Sequence, residues 1–190
     1  MQTRVAPSVT GLDRPGVPTP ADLLMDFLDR SILRERRMEA LWKRAARGPF
    51  PEEFRDELRF ESYEDREHAR ILRRHRATFA RTLDVPRRAP GSRATKVGRT
   101  LSPATALSEA LSLKAASRAE YIGYAGIIPD RYLRKFVHVL ASSEDMALPR
   151  LLGRAGDFGI RPRAPDASRA VRPNPPAPGL LRPASAAASN

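Results

Sequence analysis

The sequence predicts an all-α protein, a bundle of four helices arranged as two antiparallel hairpins joined by a long crossover. Apolar residues recur at helical spacing in four segments, near 20–46, 51–83, 103–128 and 131–156. Short turns with Pro or Gly separate the two helices of each pair. Residues 84–102, DVPRRAPGSRATKVGRTLS, are too rich in Pro, Gly and basic residues to form an element and separate the pairs. Short turns join antiparallel neighbours, and one long connection crosses the bundle.

The first helix is predicted to begin at Thr19-Pro20, since Thr is a good N-cap and Pro suits the first helical position. The turn at Arg47-Gly48-Pro49 ends it. A carboxylate, Glu35, falls on its inner face. The apolar residues of that face are Leu24, Phe27, Leu28, Ile32, Met38 and Trp42.

The second helix contains the stretch LRFESYEDREHARIL, residues 58–72, around which the chain is organised. Asp65 and His68 lie on its apolar stripe, three residues apart and therefore adjacent on one face. Burial of an unpaired carboxylate or imidazole is costly, so the two require hydrogen-bond partners or a metal ion. The remaining charges are interpreted as a solvated face with local ion pairs; they are Glu61, Glu64, Glu67, Arg59, Arg66 and Arg70.

The third and fourth helices follow the same pattern. Ser102-Pro103 begins the third helix, and Pro129-Asp130 separates it from the fourth. Pro149 falls inside the fourth helix, where it removes a hydrogen bond to Asp145 and is expected to kink the last turns. The inner faces carry Leu107, Leu111, Tyr121, Ala125 and Ile128, then Leu133, Val137, Leu140, Leu148 and Leu151.

Composition excludes several classes of function. The chain has no Cys, which excludes disulfides, thiolate catalysis and Cys-based metal sites. No segment approaches the roughly 18 apolar residues of a membrane span, and MQTRVAPSVTGLD lacks the apolar core of a signal peptide. We therefore expect a cytoplasmic protein with no membrane contact.

The net charge of +12 is concentrated outside the predicted helices. Residues 84–106 and 160–190 each carry five Lys or Arg against one Asp. A leader, 1–19, and a Pro/Ala/Arg-rich tail, 159–190, are predicted to be disordered around the bundle at 20–158. Such basic arms favour non-specific nucleic-acid binding through phosphate neutralisation rather than a folded basic groove.

An internal repeat relates the two hairpins. At an offset of 79 residues, Trp42 aligns with Tyr121 and Pro51 with Asp130, without a gap. Further aligned pairs are Leu28/Leu107, Ile32/Leu111, Leu58/Val137, Leu72/Leu151 and Phe79/Phe158. The polar positions align as Glu35 with Lys114, Asp65 with Glu144, and His68 with Ala147.

This spacing resembles the ferritin-like di-metal carboxylate proteins, a superfamily that includes rubrerythrins and bacterioferritins. In that family two helices each supply a Glu and the other two each supply Glu-x-x-His. Residues 21–158 follow the pattern, with Glu35 and then Asp65-x-x-His68 forming a nearly intact first half-site. In the second half-site only Glu144 remains, because Lys114 replaces the Glu and Ala147 the His. The resemblance therefore implies a degenerate site rather than a conventional di-iron oxidase.

The converging residues leave three alternatives. Glu35, Asp65, His68 and Glu144 hold one Fe or Mn ion, hold two, or form a metal-free buried network with Lys114. The resemblance implies either a mono-metal redox protein or a non-catalytic structural or partner-binding pseudoenzyme. The alternative is a basic-armed, nucleic-acid-associated protein, or a cargo of a protein compartment docked through Gly179-Leu180-Leu181-Arg182. Homo-oligomerisation is compatible with each.

Overall fold

The computed structural model describes residues 19–82 and 101–162, which form four helices and no strand. These are α1 (Pro20–Ala45), α2 (Glu52–Thr82), α3 (Pro103–Ala125) and α4 (Arg131–Gly156). The predicted all-α bundle is confirmed, and the predicted helix ends differ from these by at most three residues. The leader to residue 18, the crossover from 83 to 100 and the tail from 163, including the docking peptide, lie outside the described residues.

Side-chain caps explain where three of the helices begin. Thr19 and Asp22 form a reciprocal capping box at the start of α1. The Ser102 hydroxyl accepts from the amide of Thr105, and the Asp130 carboxylate accepts from the amide of Leu133. These residues combine a non-helical backbone with an acceptor oxygen, which is why the sequence located the starts well.

The end of α4 folds back onto the bundle through Gly159. This glycine has a φ of 67°, a left-handed conformation that residues with a Cβ rarely adopt. The turn lets the amide of Ile160 donate to the carbonyl of Ala155 at 3.0 Å, and Ile160 packs on the hydrophobic core.

The helices pack as two hairpins side by side. α1 packs on α2 and on α3, α3 packs on α4, and α2 and α4 approach each other less closely. Leu101 accepts a hydrogen bond from Arg44 at the end of α1, whereas Arg76, near the end of α2, pairs with Asp29 near the start of α1. The chain therefore leaves α2 at one end of the bundle and begins α3 at the other, as the predicted crossover requires.

Two apolar clusters fill the ends of the bundle and leave a polar layer between them. One is built around Trp42 and Phe54, and the other around Phe27 and Tyr121. α2 and α4 begin 79 residues apart, and four apolar repeat pairs are at most 2% exposed: Leu28/Leu107, Ile32/Leu111, Leu58/Val137 and Leu72/Leu151. Phe158 of the last pair is 41% exposed. Within 19–82 and 101–162, no helix is long and apolar enough to cross a membrane.

Candidate metal centre

The polar layer contains five charged residues with almost no solvent exposure. At most 1% of each is accessible, which is exceptional because such residues are rarely buried unless they are paired. They come from all four helices: Glu35 from α1, Glu61 and Asp65 from α2, Lys114 from α3 and Glu144 from α4.

Four predicted site residues meet in this layer. Glu35, Asp65, His68 and Glu144 each offer one ligand atom, and these atoms all lie within 4.8 Å of one another. His68 is the least enclosed, with 13% of its side chain exposed. The helical register inferred from the repeat thus brings together residues that are up to 109 positions apart in the chain.

Two aromatic donors fix the orientation of two of the carboxylates. The Trp42 indole donates to Oδ2 of Asp65 at 2.8 Å, and the Tyr121 hydroxyl donates to Oε1 of Glu35. Each bond occupies one oxygen and leaves the other, Oδ1 of Asp65 and Oε2 of Glu35, buried without a hydrogen-bond partner. Oε1 of Glu144 is also unpartnered, and Nδ1 of His68 approaches only Oε2 of Glu35, at 3.4 Å.

Lys114 lies next to the cluster and faces Glu144, as the repeat predicted. Its ammonium is 2.7 Å from Oε2 of Glu144, 2.9 Å from Oε2 of Glu61 and 3.8 Å from Oδ1 of Asp65. Burial alone lowers the pKa of Lys114, but the three carboxylates outweigh it and raise the pKa above its usual value. The ammonium is therefore a permanent cation in the core.

Glu61 corrects the sequence interpretation, which assigned it to a solvated face. It is fully buried, contacts Lys114, and accepts from Arg150 of α4 at 3.2 Å. Its spacing contained a signal: Glu61 lies three residues after the buried Leu58 and four before Asp65, hence on the same face. The neighbouring Arg residues on this helix instead indicated local ion pairs on a solvent-exposed face.

The carboxylates are crowded enough to retain protons. Burial, followed by the charge of Glu35, raises the pKa of Asp65 well above its ordinary value. Burial raises the pKa of Glu144 to about 7 although the Lys114 ammonium opposes the change. Burial lowers the pKa of His68, but the carboxylate of Glu35, with Oε2 at 3.4 Å from Nδ1, outweighs it and the pKa rises.

A divalent cation fits this charge distribution and donor set. Four buried carboxyl groups, those of Glu35, Glu61, Asp65 and Glu144, face one buried ammonium, so full deprotonation would leave an excess of negative charge that a bound cation can balance. The unpartnered ligand atoms are three carboxylate oxygens and one imidazole nitrogen. Carboxylate oxygens and an imidazole nitrogen are donors that divalent metal ions take in proteins.

Ala147 stands where the resemblance implies a second histidine. Ala147 is buried beside the apolar cluster around Trp42 and offers no ligand atom. The other two histidines do not compensate, since neither belongs to the cluster of ligand atoms: His75 stacks on Phe136 at 5.5 Å and His138 is exposed.

Comparison of the chain with protein-family models, with curated proteins and with solved structures finds no match. What is established is thus the four-helix bundle with a buried Glu/Asp/His cluster compatible with metal binding.

Proposed function

We propose that this chain is a divergent ferritin-like bundle that binds a single divalent metal ion, Fe(II) or Mn(II), through Glu35, Asp65, His68 and Glu144. The proximity of the four ligand atoms, all within 4.8 Å, carries the proposal. The unpartnered buried atoms support it, because burial of polar atoms without partners costs free energy that metal ligation recovers. The family assignment rests on the spacing of these residues and on the two-hairpin topology.

Lys114 limits the site to one metal. Its ammonium contacts the two carboxylates, Glu61 and Glu144, that would otherwise face a second cation. A second divalent ion at this short range would be repelled in a medium of low dielectric constant. Ala147 stands where the resemblance implies a second histidine, and its methyl group offers no nitrogen ligand.

The chain's own groups hold and orient the ligands. Tyr121 and Trp42 each hydrogen-bond one oxygen of Glu35 and Asp65, so that the other oxygen of each carboxylate is left for the metal. His68 lies on the side nearest solvent. Fe(II) or Mn(II), when bound, supplies one-electron redox chemistry. With one metal, conventional di-iron oxidation is not expected, and the centre serves a one-electron or structural role.

A titration with Mn(II) tests the proposal. Protein freed of metal by chelation should bind one Mn(II), and His68→Ala should weaken the affinity at least tenfold, since loss of a ligand commonly costs more than 1.4 kcal/mol. His75→Ala is the matched control: this histidine lies on the same helix outside the cluster and should leave affinity unchanged. Absence of Mn(II) binding by folded wild-type protein would favour the metal-free network.

A second proposed function concerns the charge distribution. Residues 19–82 and 101–162 contain 23 Lys and Arg against 19 Asp and Glu, whereas the rest of the chain contains 11 against 3. This segregation favours sequence-independent nucleic-acid binding by the basic segments. Deletion of 163–190 should weaken DNA binding and reduce its salt dependence while the helix content stays constant. Equal binding by the truncated chain would contradict this role.

A further inference from the structure

The outer face of α4 exposes a regular apolar stripe. Tyr132 is 79% exposed, Val139 55% and Met146 76%, and the three are spaced by seven residues, two helical turns. The inner face of the same helix buries Leu133, Val137 and Leu140, among other residues. Large apolar side chains aligned on a surface mark an interaction site more often than isolated ones do.

The middle of the stripe is free of exposed charge. Between Lys135 and Asp145, both exposed, the only charged residue is Glu144, which is buried in the core. The exposed residues of that interval are His138, Val139 and Ser142. In a chain of which 29% is charged, such a gap suits a face that meets an identical face, because like charges would otherwise oppose each other.

We infer that this stripe is a homodimer interface, in which α4 packs antiparallel against α4 of a second copy across a two-fold axis at Val139. Tyr132 and Met146 lie at equal distances on either side of Val139, so the antiparallel pairing brings each Tyr ring against a Met thioether. Contacts between sulfur and aromatic rings are favourable. The inference is independent of metal binding.

Charge complementarity supports a second copy as the occupant. Lys135 lies four residues before Val139 and Asp145 six residues after it, so antiparallel pairing brings the ammonium of each copy near the carboxylate of the other. Asp145 already pairs with Arg118 but keeps half of its side chain exposed, leaving room for a second cation. The other helices carry exposed apolar residues too, but none has three at seven-residue spacing: these are Leu33 on α1, Phe60 and Tyr63 on α2, and Ile122 on α3.

Sedimentation equilibrium of the full chain over a range of concentrations tests the interface. We expect a reversible dimer, and Val139→Glu, which puts two like charges at the axis, should weaken dimerisation at least tenfold. Leu33→Glu is the control, since it charges an exposed apolar residue of α1, a helix that does not pack on α4. A monomer at all concentrations, or a dimer unaffected by Val139→Glu, would overturn the inference.

A cross-linking experiment fixes the geometry independently of affinity. Because the chain has no Cys, Val139→Cys introduces a single thiol beside the proposed axis and should form a covalent dimer on mild oxidation. Leu33→Cys, on α1, should not. A charge reversal, Lys135→Asp, should weaken the dimer, and the double variant with Asp145→Lys should restore it. Failure of Val139→Cys to cross-link above the Leu33→Cys level would reject the antiparallel pairing.

Discussion

Individual hydrogen bonds determine which oxygen each buried carboxylate presents to the cluster. The Tyr121 hydroxyl donates to Glu35, and burial together with this carboxylate raises the pKa of Tyr121 well above its ordinary value, so the hydroxyl keeps its proton. Without that donor, Oε1 of Glu35 would be buried without a hydrogen-bond partner.

Tyr121→Phe should therefore lower the free energy of unfolding of the metal-free protein by about 1–3 kcal/mol, the cost of an unsatisfied buried acceptor. Tyr124→Phe is the control, because its hydroxyl accepts from the partly exposed Arg30 at 3.0 Å and water can replace it. Urea denaturation measures both. Equal stabilities of the two variants would show that the hydrogen bond to Glu35 stabilises the fold no more than the bond between Tyr124 and Arg30 does.

The sequence was informative about the residues on the apolar stripes and misleading about Glu61. Glu35, Asp65, His68, Lys114 and Glu144 could be placed because helical spacing and the repeat fix which face each occupies. The burial of Glu61 depends on two cations from other helices, Lys114 and Arg150. These contacts form only when the four helices pack, whereas the alternation of Glu and Arg along α2 indicates a solvent-exposed face.

At the scale of the helices, periodicity and capping residues determine the elements, and Pro149 is the main departure. α4 continues through Pro149 to Gly156. A proline in a helix interior removes one backbone hydrogen bond and crowds the preceding turn, at a cost of about 3 kcal/mol. The helix persists because Ala147 and Leu151, on either side, are held in the core.

Pro149→Ala should raise the free energy of unfolding by up to about 3 kcal/mol, since it restores the amide that Asp145 can accept from. Gly153→Ala is the control for helix propensity alone. A Cβ at Gly153 would meet no atom within 4 Å, so this substitution should raise the free energy of unfolding by about 1 kcal/mol. Thermal unfolding compares the two variants. A Pro149→Ala protein less stable than wild type would mean that the bundle needs the proline geometry.

The whole molecule buries four carboxyl groups in its core while its net charge is +12. The pattern of residues predicted the bundle and the hairpin pairing, because apolar periodicity and turn residues are local signals. It did not predict the closeness of the charges or the raised pKa values, since these depend on how the four helices approach one another.

The core charges make the stability of the metal-free protein depend on pH. The folded pKa of Glu144, about 7, lies above its ordinary 4.5, so its contribution is fully present below about 4.5 and is lost as the pH rises through 7. Asp65 and His68, whose pKa values are also raised, act in the same direction. The free energy of unfolding should therefore fall between pH 5.5 and pH 8, by on the order of 2 kcal/mol from Glu144.

Mn(II) should reverse this trend, because it binds the deprotonated ligands and its affinity rises with pH. Urea denaturation at pH 5.5 and 8, with chelator and with Mn(II), measures both effects. The variant Glu144→Gln should show a weaker pH dependence without metal. A metal-free protein whose stability increases from pH 5.5 to 8 would contradict the proposed crowding of carboxylates.

The most direct test of the central claim, one metal with Lys114 as the fixed second cation, is metal content by elemental analysis. Wild-type protein equilibrated with Mn(II) or Fe(II) and freed of loosely bound ions should hold one ion per chain. The double variant Lys114→Glu with Ala147→His should hold more than one, because it restores a carboxylate and an imidazole to the second position. Two tightly bound ions in the wild type, or none, would contradict the claim.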